Sequence, residues 1–360
     1  MNNSEINDIR SPSQLKGISF SKYKKTDARN QMIESMKNQK VEPACYWCAE
    51  LICAGHYMDV WETILYFVGK HIHLGNPKIV IYLEKRFQIF RNIISQGHYL
   101  NELQLRNNPN IRKLFAEILC ILTISNKKNS FEPVKINRIE EFDIVQMTER
   151  LKAPSTRFTE TIFKPKDPKE FVIAINEFAY AISCEQKNMV NACYWIEWII
   201  EFDAICKKKK EPCYCEKRNE YDVDNPMKKE VIWMVWDTLL YYSETNENKY
   251  NDAIIKCLLN LFCIRYTSAT PKKRRYLLYF AVSLLTEPVP TNIEIISDKA
   301  ILNTVVDQID NIYLQIKKNE ESPNTDYLFS NLETKNNFDK SIKKMEMMNK
   351  IMDIQDDDDD

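Results

Sequence analysis

An internal duplication is the sequence feature that most constrains how this chain folds. The tetrapeptide Ala44–Trp47 (ACYW) recurs as Ala192–Trp195, and Val60–Phe67 (VWETILYF) recurs as Val235–Tyr242 (VWDTLLYY). Every position of the second match is identical or conservatively exchanged. Because the two matches stand in the same order in both halves, they predict two copies of one structural unit.

Two further matches keep this order along the chain. Arg112–Thr123 (RKLFAEILCILT) is similar to Arg275–Thr286 (RYLLYFAVSLLT). In both halves a phenylalanine also precedes an aspartate ahead of the first helix: Phe20 and Asp27, Phe163 and Asp167. Four matches in one order indicate that residues 20–125 superpose on residues 160–287. In that superposition two tryptophan pairs coincide: Trp61 with Trp236, and Trp47 with Trp195.

The repeated unit has the pattern of a helical bundle. Trp61, Ile64, Leu65 and Val68 follow the i, i+3, i+4, i+7 spacing of one apolar helix face, so both copies of this tryptophan are predicted to lie in the core. The chain has only 5 glycines among 360 residues, which disfavours tight turns and phosphate-binding loops. Asp167 followed by a proline predicts a helix cap at that point. The predicted fold class is all-α, with two tandem copies of a roughly five-helix unit, further C-terminal helices and an acidic tail.

The matches also define the expected domain organisation. Residues 1–150 form an N-terminal helical repeat, and residues 151–290 form a C-terminal repeat that carries an insertion at 201–229. Residues 291–355 contribute C-terminal helices, and 356–360 are five aspartates that we expect to be solvated. The insertion explains why the matched segment 160–287 is longer than the matched segment 20–125, and it is expected to be a surface excursion.

The last predicted helix, at about 336–354, has one apolar face rich in methionine. Its members are Phe338, Ile342, Met345, Met348 and Met352. Methionine side chains adapt to different surfaces, so this face could dock into the groove of a partner protein. The alternative is that the same face packs permanently on the body of its own chain, as most such stripes do.

Charge and motifs argue against several enzyme classes. The 50 basic and 51 acidic residues leave a formal net charge of −1, so binding to nucleic acid would need a local basic patch. Neither a GxxxxGK[ST] nor a GxGxxG loop occurs, and GxSxG and HExxH are also absent from the sequence. The sequence therefore predicts no catalytic residue, no cofactor and no small-molecule substrate.

The cysteines indicate a reducing compartment. Eleven is an odd number, and several of them lie in apolar helical runs, as free buried thiols do. Residues 1–21 lack the apolar stretch of a secretory signal peptide, and no segment has the length of a membrane span, so a cytoplasmic or nuclear location is expected. Cys206, Cys213 and Cys215 are weak zinc candidates without a local fourth ligand. Thiol reagents are expected to label mainly Cys213 and Cys215.

Two basic clusters are the candidate contacts for nucleic acid or an acidic partner. Their members are Lys207, Lys208, Lys209 and Lys210, and Lys272, Lys273, Arg274 and Arg275. The first cluster ends a predicted helix, where the helix dipole alone favours cations. The second begins a helix, where the dipole disfavours them, so binding to phosphate or to an acidic partner is an alternative explanation. The five C-terminal aspartates could cover such a patch in the free protein.

One segment and the overall composition of the chain resemble those of known groups of proteins. The segment 44–77, with ACYWCAELI, GHYMDVWETILYFVGKHI and GNP, locally resembles the helical collar domains of clamp-loader-type ATPases, over about a tenth of the chain and without their ATPase module. The amino-acid composition, which is rich in Asn, Lys and Ile, resembles that of uncharacterised proteins from large AT-rich DNA viruses. Neither resemblance implies a role for a particular residue.

The function expected from these observations is that of a non-enzymatic scaffold or assembly subunit, because helical repeats offer extended binding surfaces without an active site. A protein partner is expected, without a membrane. One alternative is a replication or transcription accessory factor that binds nucleic acid through the basic clusters. Another is an enzyme of a type that leaves no linear motif.

Overall fold

The computed structural model describes residues 4–97, 99, 101–138, 142, 148–246, 248–296, 298–321, 342, 344 and 345. Over these ranges the regular secondary structure is helical, apart from one isolated antiparallel bridge between Ile18 and Lys24. The predicted all-α class is therefore confirmed. Most of the predicted last helix and the aspartate tail lie outside the described residues.

Five α-helices form the first half. They are α1 Lys25–Lys37, α2 Val41–Cys53, α3 Tyr57–Phe67, α4 Lys78–Gln96 and α5 Pro109–Ile124. Between α3 and α4 the chain continues as a π-helical turn, Val68–Ile72. Helix α5 begins as the sequence predicts, because Pro109 is its first residue and the Asn108 side chain accepts hydrogen bonds from the N–H groups of Asn110 and Ile111.

The second half has a much longer connection between its second and third helices. Its helices are α6 Val172–Ile182, α7 Met189–Lys208, α8 Ile232–Thr245, α9 Lys249–Cys263, the short α10 Thr270–Lys273 and α11 Arg275–Thr286. Apart from α10, they correspond in number and order to α1–α5. A final helix, α12 Lys299–Lys317, lies in the segment 291–355 for which further C-terminal helices are predicted, and its Ile309 and Ile312 are buried.

The described residues fall into two compact units. One comprises residues within 1–6 and 12–319, and the other comprises residues within 7–11 and 320–360. In the first unit, side chains from both halves belong to one hydrophobic cluster. In the second, Arg10 pairs with Asp8, and the Ile9 N–H donates to the Glu321 carbonyl at 3.2 Å. The expected domain boundary near residue 150 and the superposition of the two repeats stay predictions.

The repeated VW[ED]T segment occupies comparable surroundings in the two halves. Trp61 in α3 and Trp236 in α8 are fully buried. The Trp61 ring lies 5.0 Å from that of Phe87 in α4, and the Trp236 ring lies 5.2 Å from that of Phe262 in α9. In each half the tryptophan of the third helix therefore packs edge-on against a phenylalanine of the fourth helix.

The ACYW segments share local geometry but differ in burial. The rings of Tyr46 and Trp47 are 5.4 Å apart, those of Tyr194 and Trp195 are 5.2 Å apart, and both pairs are edge-to-face. Trp195 is fully buried, whereas Trp47 is only half-buried. Expecting core packing from the repeat alone would overestimate the burial of Trp47.

The insertion of the second half is fastened by buried ion pairs around Arg218. This guanidinium group is fully buried and contacts Asp167 at 2.5 Å and Asp237 at 2.8 Å. The position of Asp167 before Pro168 predicts that it caps a helix, but in the structure it does not. Its carboxylate instead accepts hydrogen bonds from Arg218 and from backbone N–H groups, because a buried guanidinium group requires a paired charge.

The two halves approach each other closely where the π-helical turn meets α11. A methyl group built on Gly69 would lie 2.9 Å from the Tyr276 Cβ and 3.0 Å from the Tyr276 carbonyl carbon, so this contact requires a glycine. Nearby, the buried Arg274 donates hydrogen bonds to the carbonyls of Phe262 and Ile264 at 2.7 Å, at the end of α9. The same guanidinium group pairs with Glu62 in the first half.

Truncation of the paired tryptophans should be costly in both halves. We expect Trp61→Ala and Trp236→Ala each to lower the free energy of unfolding by about 3–5 kcal/mol, because each leaves a large cavity. Because Trp47 is only half-buried, Trp47→Ala should lower the free energy of unfolding by clearly less. Urea unfolding followed by circular dichroism measures all three. A loss below about 1 kcal/mol for Trp61 or Trp236 would contradict its place in the core.

The contact at Gly69 generates a second prediction. Gly69→Ala should reduce the free energy of unfolding by about 1–3 kcal/mol, because the added methyl group overpacks the backbone of Tyr276. Gly17→Ala is the matched control, since nothing lies within 4 Å of a methyl group at that position. Equal stability of the two variants in the same urea titration would show that the halves do not depend on this approach.

Candidate functional site

A large cleft of the first unit lies where the fourth helices of the two halves, α4 and α9, pack together. It encloses about 620 Å³. Its floor is apolar, and its α4 side is formed by Phe87, Phe90 and Ile94. These three residues stand at i, i+3 and i+7, so they share one face of the helix. Leu259, Leu261 and Ile264 line the α9 side.

A smaller cavity of about 180 Å³ extends this cleft. Both cavities are lined by Met58, Phe90, Ile94 and Arg265, so they form one continuous depression. The extension adds Tyr57, Tyr99, Asn101, Glu102 and Leu105 from the first half. We call the whole depression the inter-half cleft. Its length and apolar floor suit a segment of polypeptide better than a small polar metabolite.

The rim of the inter-half cleft carries more acidic than basic side chains. Glu84, Glu220 and Asp222 face Arg91 in the larger cavity. Arg265 lies at the junction with the smaller cavity, where its guanidinium group is 3.6 Å from the Glu102 carboxylate. Because one of the two arginines is thus paired with a further carboxylate of the rim, the potential at the cleft favours a cationic ligand.

The polar contacts of Glu84 fix its position at the α4–α9 contact. One carboxylate oxygen accepts a hydrogen bond from the Asn260 amide at 2.7 Å, and the other accepts one from the Cys257 thiol at 3.1 Å. Burial, reinforced by Glu84, raises the pKa of Cys257 to about 12. Cys257 therefore stays protonated near neutral pH and serves as a hydrogen-bond donor rather than a nucleophile.

The first predicted basic cluster is split between internal and exposed groups. Lys207 contacts Asp203 and Glu230, both at 2.8 Å. Burial alone would lower the pKa of Lys207, but these two carboxylates outweigh it and raise the pKa. Lys208, Lys209 and Lys210 follow at the end of α7 and are exposed.

The second cluster is split in the same way. Arg274 is buried in the ion pair with Glu62 described above, and Arg275 pairs with Glu197 at 2.6 Å. Lys272 and Lys273 are exposed. Two members of this cluster thus stabilise the fold, and two remain available at the surface.

The fold brings part of both clusters to one groove. Lys207, Lys272 and Lys273 line a cavity of about 290 Å³, which we call the lysine groove. It lies between the second half of α7, the start of α8 and the short α10. Sixty-odd residues of sequence separate the two clusters, and the spacing of the lysines gives no sign that they meet.

The three cysteines that are candidate zinc ligands do not form a metal site with other side chains in the described part of the chain. Cys215 is buried, and its thiol donates to the Glu230 carbonyl at 3.2 Å. Cys206 and Cys213 are half-buried neighbours of each other. Over the described ranges, no three His, Cys, Asp or Glu side chains are close enough together to hold a metal ion.

The histidines in the described ranges have structural contacts. The His56 ring nitrogen contacts the Ile18 carbonyl at 2.8 Å, and His71 contacts the Asn129 amide oxygen at 3.1 Å. His73 stacks on Phe280 with 4.7 Å between ring centroids. Burial lowers the pKa of His73 to about 4, so its ring is neutral near pH 7.

Two members of the predicted partner face are described. Ile342 and Met345 are 41% and 66% exposed, so neither is buried in a core. Phe338, Met348 and Met352 lie outside the described residues, and docking of this face on a partner stays a prediction.

Sequence reasoning missed the inter-half cleft. The available signal was on α4, where Ile89, Ile93 and Ile94 widen the apolar face beyond the stripe that packs on one neighbour. Ile89 and Ile94 are in fact 38% and 37% exposed. Apolar side chains that a helix leaves exposed next to a concavity are the ordinary mark of a binding surface.

Comparisons with known proteins leave the function open. No family model matches the chain, and no curated protein and no solved structure shows significant similarity to it. These comparisons test neither the resemblance to clamp-loader collar domains nor the resemblance in composition to viral proteins. Among the described helices, none combines the length and the apolar character needed to cross a bilayer.

The environments of the cysteines predict which thiol reacts first. All eleven are free, and Cys184 is the one classed as exposed. The expected labelling of Cys215 is wrong, because that residue is buried. Burial, together with the neighbouring Cys206, raises the pKa of Cys213 to about 12, so this thiol should react slowly.

We therefore expect a thiol-disulfide reagent at pH 8 to modify one cysteine rapidly in the native protein and all eleven in denaturant. Cys184→Ser should remove the fast phase, whereas Cys213→Ser should leave it unchanged. The absorbance of the released thiol measures both. A fast phase that survives Cys184→Ser would show that another cysteine region opens readily.

Proposed function

We propose that this protein is a non-enzymatic interaction protein that binds a segment of a partner protein in the inter-half cleft. The observation that supports the proposal is the continuous depression with an apolar floor and an acidic rim at the packing of α4 on α9. A cleft of this kind suits an amphipathic helix or an extended peptide. Its partner segment carries large apolar side chains flanked by Lys or Arg.

The floor and the rim have separate roles in this proposal. Phe87, Phe90 and Ile94 provide the apolar surface that supplies most of the binding free energy. Glu220 and Asp222 select a segment of positive charge and accelerate its association. The cleft lies between the halves, so one helix from each half is needed to form it.

The two alternative functions receive less support. Three of the eight residues in the basic clusters, Lys207, Arg274 and Arg275, are occupied by internal carboxylates, which leaves fewer cations for nucleic acid. For an enzyme, the cleft would need an activated acid, base or nucleophile. Among the described residues that line it there is no histidine, and burial raises the pKa of the lining thiol of Cys263 to about 12, the opposite of an activated nucleophile.

The test uses two matched isoleucines of α4. Peptides of about 16 residues are selected from a displayed library on the full chain and are then measured by fluorescence anisotropy. We expect Ile94→Asp, in the cleft, to weaken the selected peptides at least about tenfold. Ile89→Asp is the control, because Ile89 is equally exposed on the same helix but does not line the cleft.

The sequence of the selected peptides provides a second readout. They should be enriched in Lys and Arg, and Glu220→Lys combined with Asp222→Lys should weaken them and reduce their dependence on salt. If no peptide is enriched, or if the enriched peptides bind Ile94→Asp as tightly as the original chain, the cleft is not the binding site.

A further inference from the structure

We propose that the lysine groove is a second binding site, and that it takes an acidic segment of a partner protein that carries a large apolar side chain. The site shares no lining residue with the inter-half cleft, so it does not rest on the function proposed for that cleft. Together the two sites would let the protein bridge two partner segments of opposite charge.

The positive charge at the groove is available for a ligand. Lys272 and Lys273 are exposed at its edge and form no salt bridge with another described residue. Lys208, Lys209 and Lys210 continue from the groove residue Lys207 and are likewise exposed without a salt bridge among the described residues. The like charges of Lys272 and Lys273 at the edge of the groove repel each other, and an acidic ligand relieves this repulsion.

The floor of the groove is apolar. It is lined by Ile199, Ile200, Val231, Ile232, Ala269 and Pro271. A volume of about 290 Å³ accommodates roughly one or two large apolar side chains. Burying such a side chain supplies a free energy that salt does not weaken, whereas the lysines at the rim add a contribution that salt screens.

Asp203 provides a fixed acceptor inside the groove. One carboxylate oxygen, Oδ2, contacts Lys207 at 2.8 Å, and the other, Oδ1, is buried without a hydrogen-bond partner in the described part of the chain. A buried acceptor of this kind gains from a ligand that donates a hydrogen bond. A peptide offers backbone N–H groups for this purpose, whereas a phosphate group at neutral pH offers chiefly acceptors.

The lining disfavours nucleic acid as the occupant. Glu201 and Asp203 both line the groove, so the part of a ligand that enters it must be uncharged, as an apolar side chain is and a phosphate group is not. No aromatic side chain is among the described residues of the lining, so bases would have no ring there on which to stack. The combination of rim lysines, apolar floor and unpartnered acceptor therefore selects an acidic peptide with an apolar anchor.

The experiment measures binding of a fluorescein-labelled peptide to the full chain by anisotropy. The peptide has about 12 residues, mostly Asp and Glu, with Leu and Phe at its centre. We expect Lys272→Glu combined with Lys273→Glu to weaken binding at least about tenfold. Lys113→Glu combined with Lys217→Glu is the matched control, because these lysines are exposed elsewhere and the change in net charge is the same.

A second variant tests the floor without changing the charge. Ala204 is exposed and lines the groove, so Ala204→Phe should fill it and weaken the peptide about tenfold while the protein stays folded. A peptide in which Ser replaces Leu and Phe should bind correspondingly more weakly to the original chain. Ile94→Asp should leave binding unchanged, which separates this site from the inter-half cleft.

Four results would overturn the proposal. The first is that the peptide does not bind, and the second is that the control lysine pair affects binding as much as Lys272 and Lys273 do. The third is that the Ser-containing peptide binds as tightly as the original peptide. In the fourth, a single-stranded oligonucleotide displaces the peptide at equal concentration, which would identify the groove as a nucleic-acid contact.

Discussion

The close approach of Gly69 to Tyr276 is a constraint on how the two halves pack together. A side chain at position 69 would collide with the backbone of α11, so the π-helical turn of the first half can reach the second half only with glycine there. Arg274 stands two residues before Tyr276 and pairs with Glu62 in α3. The helices α4 and α9 can therefore meet along the cleft, because the halves are held together beside it.

The sequence predicted the elements of the fold better than their relations. Apolar spacing and the repeated segments predicted that the chain is helical, because the period of apolar residues is a local property. Asp167 shows the limit of such reasoning. Its place before a proline suggests a helix cap, but a buried arginine 51 residues later competes for the same carboxylate. A distant partner of this kind leaves no local sign.

The candidate sites were predictable only in part for the same reason. The basic clusters are visible in the sequence, but the acids that pair with Arg274, Arg275 and Lys207 include residues 23 to 212 positions away along the chain. The inter-half cleft depends on α4 and α9, which lie far apart along the chain. Concavity is a property of packed surfaces. A sequence pattern can therefore identify apolar side chains without indicating that they line a cavity.

The way Arg218 is anchored has a consequence for how the chain can vary in length. Its ion pairs with Asp167 and Asp237 fasten the insertion near its middle, whereas the stretches on either side run over the surface. Each stretch is therefore a separate short loop with fixed ends, and lengthening such a loop adds little closure entropy. Insertions should be tolerated at the exposed positions 209–212 and 224–226, provided that the arginine, both aspartates and the buried Cys215 and Tyr221 are retained.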